Sequence, residues 1–242
     1  MAEDLLNKSA RFSEMIKVSK KIVFFGGAGV STESGIPDFR STDGLYNQKY
    51  DYPPEEILSH DFFERNTEEF YRFYRDKMIV RGAKPNVTHY ALKKLEDQGK
   101  LTAIVTQNID GLHEAAGSKN VFALHGTVYK NTCLKCGKKF GIDVITETRG
   151  VPRCECGGVI KPDVVLYGEM LPEDVVEGAV SAIKNADMLI VGGTSLVVYP
   201  AASFVNYFRG DRLVLINLQP TPYDSRANLI FRNKLGEVFS EI

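Results

Sequence analysis

The four cysteines of the 242-residue chain fall in one short stretch, as Cys133-x₂-Cys136 and Cys154-x-Cys156. Thiolates clustered at this spacing suit a tetrahedral structural zinc ion with no position left for water. No histidine or carboxylate replaces a cysteine, so a catalytic zinc would lack an open site. The second pair is one residue shorter than the usual knuckle, and Gly157-Gly158 follows it. A redox role is the other reading open to these residues. A second reactive group is Gln107-Asn108-Ile109-Asp110-Gly111-Leu112-His113, directly after the β-rich run Leu101–Thr106. Polar side chains bunched at the C-terminal end of a parallel strand are what a doubly wound sheet offers a ligand. A plain turn explains Gly111 but does not require Gln107 and Asp110 together. His125-Gly126 closes the next apolar run, Val121–Leu124. An imidazole with an ordinary pKa near 6.5 can accept a proton at neutral pH.

These groups need elements to hold them. Ile22–Phe25 reads as a buried strand opening into Gly26, Gly27 and Gly29. A strand, a glycine turn and a helix together let backbone N–H groups approach a pyrophosphate. Thr32 stands where the third glycine usually sits, and no acidic residue closes a second strand about 20 residues on. Taken alone, the turn fits either a dinucleotide or no ligand. Pro37 breaks any helix here. Asp38, Phe39 and Arg40 then open an aperiodic stretch to Pro54, placed as an active-site lid would be. Met188–Val191 is a further strand, ending in Gly192-Gly193-Thr194-Ser195, a turn suited to phosphate or ribose. Leu213–Ile216 ends in Asn217 and Leu218. Asn217 can both donate and accept, as an adenosine edge requires, or simply make a turn.

Helices are expected over residues 3–19, over 55–98 with a break at Gly82–Pro85, from Pro172, and from Pro200. The aromatics Phe62, Phe63, Phe70, Tyr71, Phe73 and Tyr74 read as core packing of a helical insertion. His60 and His89 read as surface or capping residues, and His113 as structural. Charged residues make up 25% and apolar ones 43%, with a net charge of −1, which excludes a global pull toward nucleic acid or membrane. The N-terminus mixes both charge signs and no apolar run approaches membrane-spanning length, so a cytoplasmic protein is expected. Residues 128–162 carry seven basic residues against three acids, read as a solvated face.

GAGVST followed by GIPDFR, then TQNIDGLH, LHG, the cysteine module, PDVVLYGE and GTSLVVYPA stand in the order found in the sirtuins, NAD-dependent protein-lysine deacylases. The resemblance covers nearly the whole chain. It implies an α/β fold: a Rossmann-like parallel sheet with a smaller lobe made of a helical insertion and a zinc ribbon. The implied division gives 1–44, 96–127 and 163–242 to the NAD-binding domain, 45–95 to the helical insertion and 128–162 to the ribbon. NAD would be consumed, yielding nicotinamide, O-acyl-ADP-ribose and free lysine. One structural zinc would sit on the four cysteines.

By the same resemblance, Gly27, Ala28, Gly29, Thr32, Asp38, Phe39, Arg40, Gly193, Thr194, Ser195, Asn217 and Leu218 would contact the cofactor. Gln107, Asn108, Ile109 and Asp110 would line its nicotinamide and ribose pocket. His125 would act as general base beside Asn108 and Asp110. An acyl-lysine peptide would add as a strand near Val164, Gly168, Glu169 and Val197. Within the family, mono-ADP-ribosyl transfer and an acidic-acyl preference through Tyr71 and Arg75 stay open. Outside it, the alternatives are a nicotinamide dehydrogenase and a zinc-ribbon binding module.

Overall fold

The computed structural model describes residues 2–38, 44 and 52–241. Phe39 and Arg40 therefore lie outside the described residues. The strands are β1 (Ile22–Gly26), β2 (Leu101–Thr106), β3 (Val121–Ala123), β4 (Gly126–Cys133), β5 (Lys139–Phe140), β6 (Ile160–Val164), β7 (Met188–Gly192), β8 (Leu213–Ile216) and β9 (Leu229–Phe231). The helices are α1 (Ala2–Val18), α2 (Pro54–Ile57), α3 (His60–Arg65), α4 (Thr67–Phe73), α5 (Val87–Asp97), α6 (Leu112–Ala115), α7 (Asp143–Thr146), α8 (Glu173–Asn185) and α9 (Leu235–Phe239).

Among the described residues, six strands form a parallel sheet in the order β3-β2-β1-β7-β8-β9. This is the doubly wound arrangement of a Rossmann sheet, in which strand order reverses between two adjacent central strands, here β1 and β7. Strands β1, β7 and β8 are buried throughout, which explains why they read as unbroken apolar runs. Alternate side chains serve the two faces. Val23 and Phe25 pack with Ile183, Ala201 and Val205, from α8 and the 3₁₀ helix Ala201–Tyr207. Ile22 and Phe24 pack with Phe12 of α1, Leu92 and Leu95 of α5, and Leu235 and Phe239 of α9. Helix α5 thus joins the large sheet, although the expected insertion ended inside it at residue 95. No described helix is long and apolar enough to cross a membrane.

A second sheet, β5-β4-β6, is antiparallel. Phe62, Phe63, Phe70, Tyr71, Phe73 and Tyr74 bury their rings against Val128 of β4, Ile145 of α7 and Val164 of β6. The aromatic-rich stretch is therefore core, as its composition suggests. The two parts of this smaller lobe are also tied by polar contacts. The Tyr71 hydroxyl donates to the Ile160 carbonyl. Arg75 Nε donates to the Ile145 carbonyl at 2.9 Å, and its guanidinium also reaches the carbonyls of Tyr71 and Gly150.

Gly126 joins the lobes at the start of β4. Its φ is +74°, and a Cβ there would lie 2.0 Å from the Asp163 carbonyl oxygen. Only glycine permits both the left-handed backbone and the approach of β6. Gly126→Ala is expected to destabilise the protein by at least ~1–3 kcal/mol, the usual cost of such backbone strain. Thermal unfolding of the variant, with a melting point several degrees below wild type, checks this.

Candidate active site

The glycine turns after β1 and β7 meet at the reversal of strand order. Gly29 N donates to the Gly193 carbonyl at 2.8 Å, and Gly193 N to the Ile216 carbonyl at 3.0 Å. A Cβ on Gly29 would sit 2.7 Å from Gly193 Cα, so the turns can touch only because both residues are glycine. A dinucleotide turn usually runs into a helix. Two 3₁₀ turns, Ala28–Val30 and Thr32–Ser34, stand there instead, and Gly35 ends them in the left-handed region. Anion binding here would rest on turn N–H groups rather than on the macrodipole of a long helix.

A cleft of about 1020 Å³ runs from these turns to the smaller lobe. It is lined by Gly27, Ala28, Gly29, Thr32 and Asp38 after β1, and by Gln107, Asn108, Ile109 and Asp110 after β2. His125 after β3, Gly193, Thr194 and Ser195 after β7, and Asn217 and Leu218 after β8 complete that side. Val164, Gly168 and Glu169 line the opposite rim. Val197 does not line it; the neighbouring Val198 and Tyr199 do, while Val197 is an exposed side chain beside the rim. The Glu169 carboxylate is already held by Lys161 Nζ at 3.0 Å, Leu166 N at 2.9 Å and His60 Nδ1 at 2.9 Å. These contacts brace the rim and hold the Glu169 carboxyl below its ordinary pKa. Burial opposes that effect; the hydrogen bonds from Leu166 and His60 and the charge of Lys161 outweigh it.

Side chains from several strand ends interlock. Ser31 Oγ donates to Asp110 Oδ2 at 2.6 Å and accepts from Asn108 Nδ2 at 3.1 Å. Leu112 N donates to Asp110 Oδ1 at 2.9 Å. Gln107 Nε2 donates to Thr194 Oγ1 at 3.0 Å, linking the β2 and β7 turns. Ser31 is 1% exposed and was not singled out in the sequence. Ser31→Ala would leave Asp110 Oδ2 without that donor. A hydrogen bond to a charged group is worth ~1.5–3 kcal/mol of stability, so the variant should melt a few degrees lower, and with Asp110 no longer held kcat should fall about tenfold or more. Steady-state kinetics beside a thermal melt checks this.

His125 Nδ1 lies 2.9 Å from the Gln107 carbonyl oxygen, which can only accept. The proton is therefore on Nδ1, and the Nε2 lone pair is left as the basic position. Burial lowers the His125 pKa below its ordinary value, and the Gln107 hydrogen bond opposes this only in part. The imidazole is neutral at pH 7.

The other histidines do different work. His89 Nδ1 accepts from Asn86 N at 3.2 Å in a capping box at α5, as a capping residue should, but it is buried rather than exposed. His113 is buried against it, and burial lowers the two to about 4 and about 3. Tyr71 and Arg75 face the β4–β6 lobe through the contacts already given and do not line the cleft. Asn233, Lys234 and Leu235 do line it. No motif in residues 225–242 singles out a residue for this role. Glu33 Oε2 accepts from Gly236 N at 2.8 Å, docking α9 against the β1 turn.

The four cysteine sulfurs lie within 4.8 Å of one another. Cys133 and Cys156 Sγ are 3.5 Å apart, and Cys136 and Cys154 Sγ are 3.7 Å apart. Zinc–sulfur bonds of ~2.3 Å in a tetrahedron require sulfurs ~3.8 Å apart, so the donor set fits zinc. The short second pair is accommodated by a tight turn. Cys154 N donates to the Gly158 carbonyl at 2.8 Å, and Gly157 N to the Cys154 carbonyl at 2.8 Å.

A Rossmann sheet with glycine turns at its reversal point, a polar interlock beneath them and a separate thiolate site define a dinucleotide-dependent α/β enzyme with a metal-stapled lobe. Residues 27–200 match the model of the Sir2 family, and the chain belongs to that family. It is 55% identical over 242 residues to the NAD-dependent protein deacetylase of Clostridium acetobutylicum, covering 98% of this chain and 99% of the relative. It is 57% identical over 244 residues to the NAD-dependent protein deacetylase of Clostridium perfringens, covering 99% of each. A Sir2 structure with deacetylated p53 peptide and 3′-O-acetyl ADP ribose aligns at TM-score 0.88 and 40% identity, over 96% of both chains.

Proposed function

We propose that the chain removes acetyl groups from protein lysines while consuming NAD, giving nicotinamide, O-acetyl-ADP-ribose and free lysine. The observation that carries this reading is one cleft lined at once by the glycine turns, Gln107–Asp110 and His125. NAD, when bound, supplies the electrophilic ribose carbon and the nicotinamide leaving group. Gly27, Ala28, Gly29, Thr32, Gly193, Thr194 and Ser195 hold its phosphates and ribose, and Asn217 and Leu218 its adenosine. Asp110 and the Ile109 backbone orient the carboxamide, with Ser31 fixing Asp110. Asn108 and Gln107 shape the ribose pocket. His125 Nε2 accepts the proton of a ribose hydroxyl.

The acyl-lysine peptide enters as an added strand between the 164–169 and 193–200 segments, so main-chain hydrogen bonds supply affinity with little sequence demand. The Val198 side supports that placement better than Val197. Cys133, Cys136, Cys154 and Cys156 hold zinc as a cross-link, not as a catalyst. We place the boundary between the helical insertion and the NAD-binding domain before α5, because α5 packs on the large sheet. A cytoplasmic location fits the expectation from the sequence.

Nicotinamide release, followed chromatographically, tests the reaction. It should depend on an acetylated peptide and stop with the unmodified one. Equal release with either peptide would replace deacetylation by NAD hydrolysis or ADP-ribosyl transfer.

A further inference from the structure

One end of the cleft is walled by two segments that lie past the ends of their strands. β8 and β9 pair in parallel as far as Ile216 and Phe231, and Asn217 N still donates to the Phe231 carbonyl at 3.1 Å. Beyond that bond the chains leave the sheet. Asn217, Leu218 and Gln219 follow β8, Asn233, Lys234 and Leu235 follow β9, and all six line the cleft. Leu218 is 57% exposed, so packing does little to fix the first segment.

Arg232 ties the two segments together from behind and does not itself line the cleft. Its Nη1 donates to the Asn217 carbonyl at 3.3 Å, and its Nη2 donates to Asp224 Oδ2. The other carboxylate oxygen, Asp224 Oδ1, accepts from Thr221 N at 3.0 Å and from Thr221 Oγ1 at 2.9 Å. Thr221 is buried, which anchors the far end of the loop. Within the loop, Asn217 Nδ2 donates to the Gln219 carbonyl at 2.8 Å. One guanidinium and one carboxylate thus close residues 217–224 onto the exit of β9. An isolated surface ion pair would do little. Here the planar guanidinium spans two acceptors, a geometry lysine does not reproduce, and both carboxylate oxygens are in use. Burial raises the Asp224 carboxyl, but the Thr221 hydrogen bonds and the Arg232 charge outweigh it and hold the group below the ordinary carboxylate range.

We propose that Arg232 and Asp224 are positioning residues for the adenosine end of the cofactor, setting the spacing of the 217–219 and 233–235 walls without touching the ligand. This rests on the reading above, which places the adenosine at Asn217 and Leu218. Gln107–Asp110 and His125 follow β2 and β3, on the opposite side of the β1–β7 reversal from β8 and β9. The clamp should therefore act on cofactor binding and leave the chemical step and the peptide alone.

The test measures kcat, KM for NAD and KM for an acetylated peptide, with calorimetric binding of ADP-ribose. It uses the zinc-loaded full chain as wild type, Arg232→Ala, Asp224→Asn and the double variant. Asparagine keeps an oxygen for Thr221 and drops the charge. Arg232→Ala should raise both KM for NAD and the ADP-ribose dissociation constant by about threefold to tenfold, the worth of one hydrogen bond. kcat and KM for the peptide should not move, the signature of lost uniform binding. Asp224→Asn should shift the same two constants in the same direction. In the double variant the effects should fall short of additive, because both residues serve one clamp. Unchanged cofactor constants would overturn the proposal, and so would fully additive effects. A parallel change in kcat and peptide KM would overturn it too, since general loosening of the fold produces that pattern. A folded wild type that binds no ADP-ribose would instead remove the cofactor placement, and this proposal with it.

Discussion

His125→Ala is expected to lower kcat by roughly 10²–10⁴-fold, the usual contribution of a positioned general base, and to leave the fold intact. The argument begins with the Gln107 carbonyl 2.9 Å from Nδ1, which fixes the tautomer and leaves Nε2 basic. The fold should survive because the tie at this position is made by the main chain. The His125 carbonyl accepts from Val165 N at 3.0 Å, and alanine keeps that bond. A pH profile adds a second readout. The base must be neutral to act, and burial moves its pKa below the ordinary 6.5. Activity should therefore hold as pH falls through 7 and decline only below about 6.5, and the acid limb should vanish in the alanine variant. Turnover within about tenfold of wild type, with the limb unchanged, would take the role away from His125.

Removing zinc should have an effect of similar size by a different route. A structural zinc site contributes folding free energy directly, on the order of 10 kcal/mol in small zinc modules at neutral pH. Here Cys133 ends β4 and the Cys154–Cys156 turn leads into β6, so the ion would staple the small sheet. The damage should not stay local. Tyr71 binds the Ile160 carbonyl, Arg75 binds those of Ile145 and Gly150, and Val128, Ile145 and Val164 share one core with the helical aromatics. Chelation, or Cys133→Ser, should therefore loosen the lobe that forms one wall of the cleft and abolish activity. The large parallel sheet should keep its protection in hydrogen exchange. Metal analysis should find one zinc per chain. Clearly less than one equivalent, with a melting curve indifferent to chelator, would contradict the assignment.

Much of this was legible in the residues because local patterns carried it. The apolar runs at Ile22, Met188 and Leu213 become central strands because both faces of the sheet are covered. The polar clusters at Gln107, His125 and Thr194 follow strand ends, where such a sheet places its ligand. The cysteine spacing announced its own site. What stayed hidden depends on contacts distant in sequence. Ser31 is one hydroxyl in a loop until folding sets it beside Asn108 and Asp110, 77 and 79 residues on. The three-residue strand Leu229–Phe231 is too short to show a period. Asn233–Leu235 reach the cleft because α9 packs on the sheet core and is tied by Glu33 to the β1 turn, more than 200 residues away in sequence. Helix α5 was split because its pattern shows an apolar face but not which lobe covers it. Val197 and Val198 carry the same side chain, and only the fold tells them apart.

The central claim is that the cleft couples NAD consumption to loss of an acetyl group. Mass spectrometry of a reaction containing NAD and an acetyl-lysine peptide tests it most directly, with no-NAD and His125→Ala controls. The account predicts O-acetyl-ADP-ribose and deacetylated peptide in equal amounts, absent without NAD and nearly absent with the variant. Intact NAD beside untouched peptide, from zinc-loaded and folded protein, would contradict it.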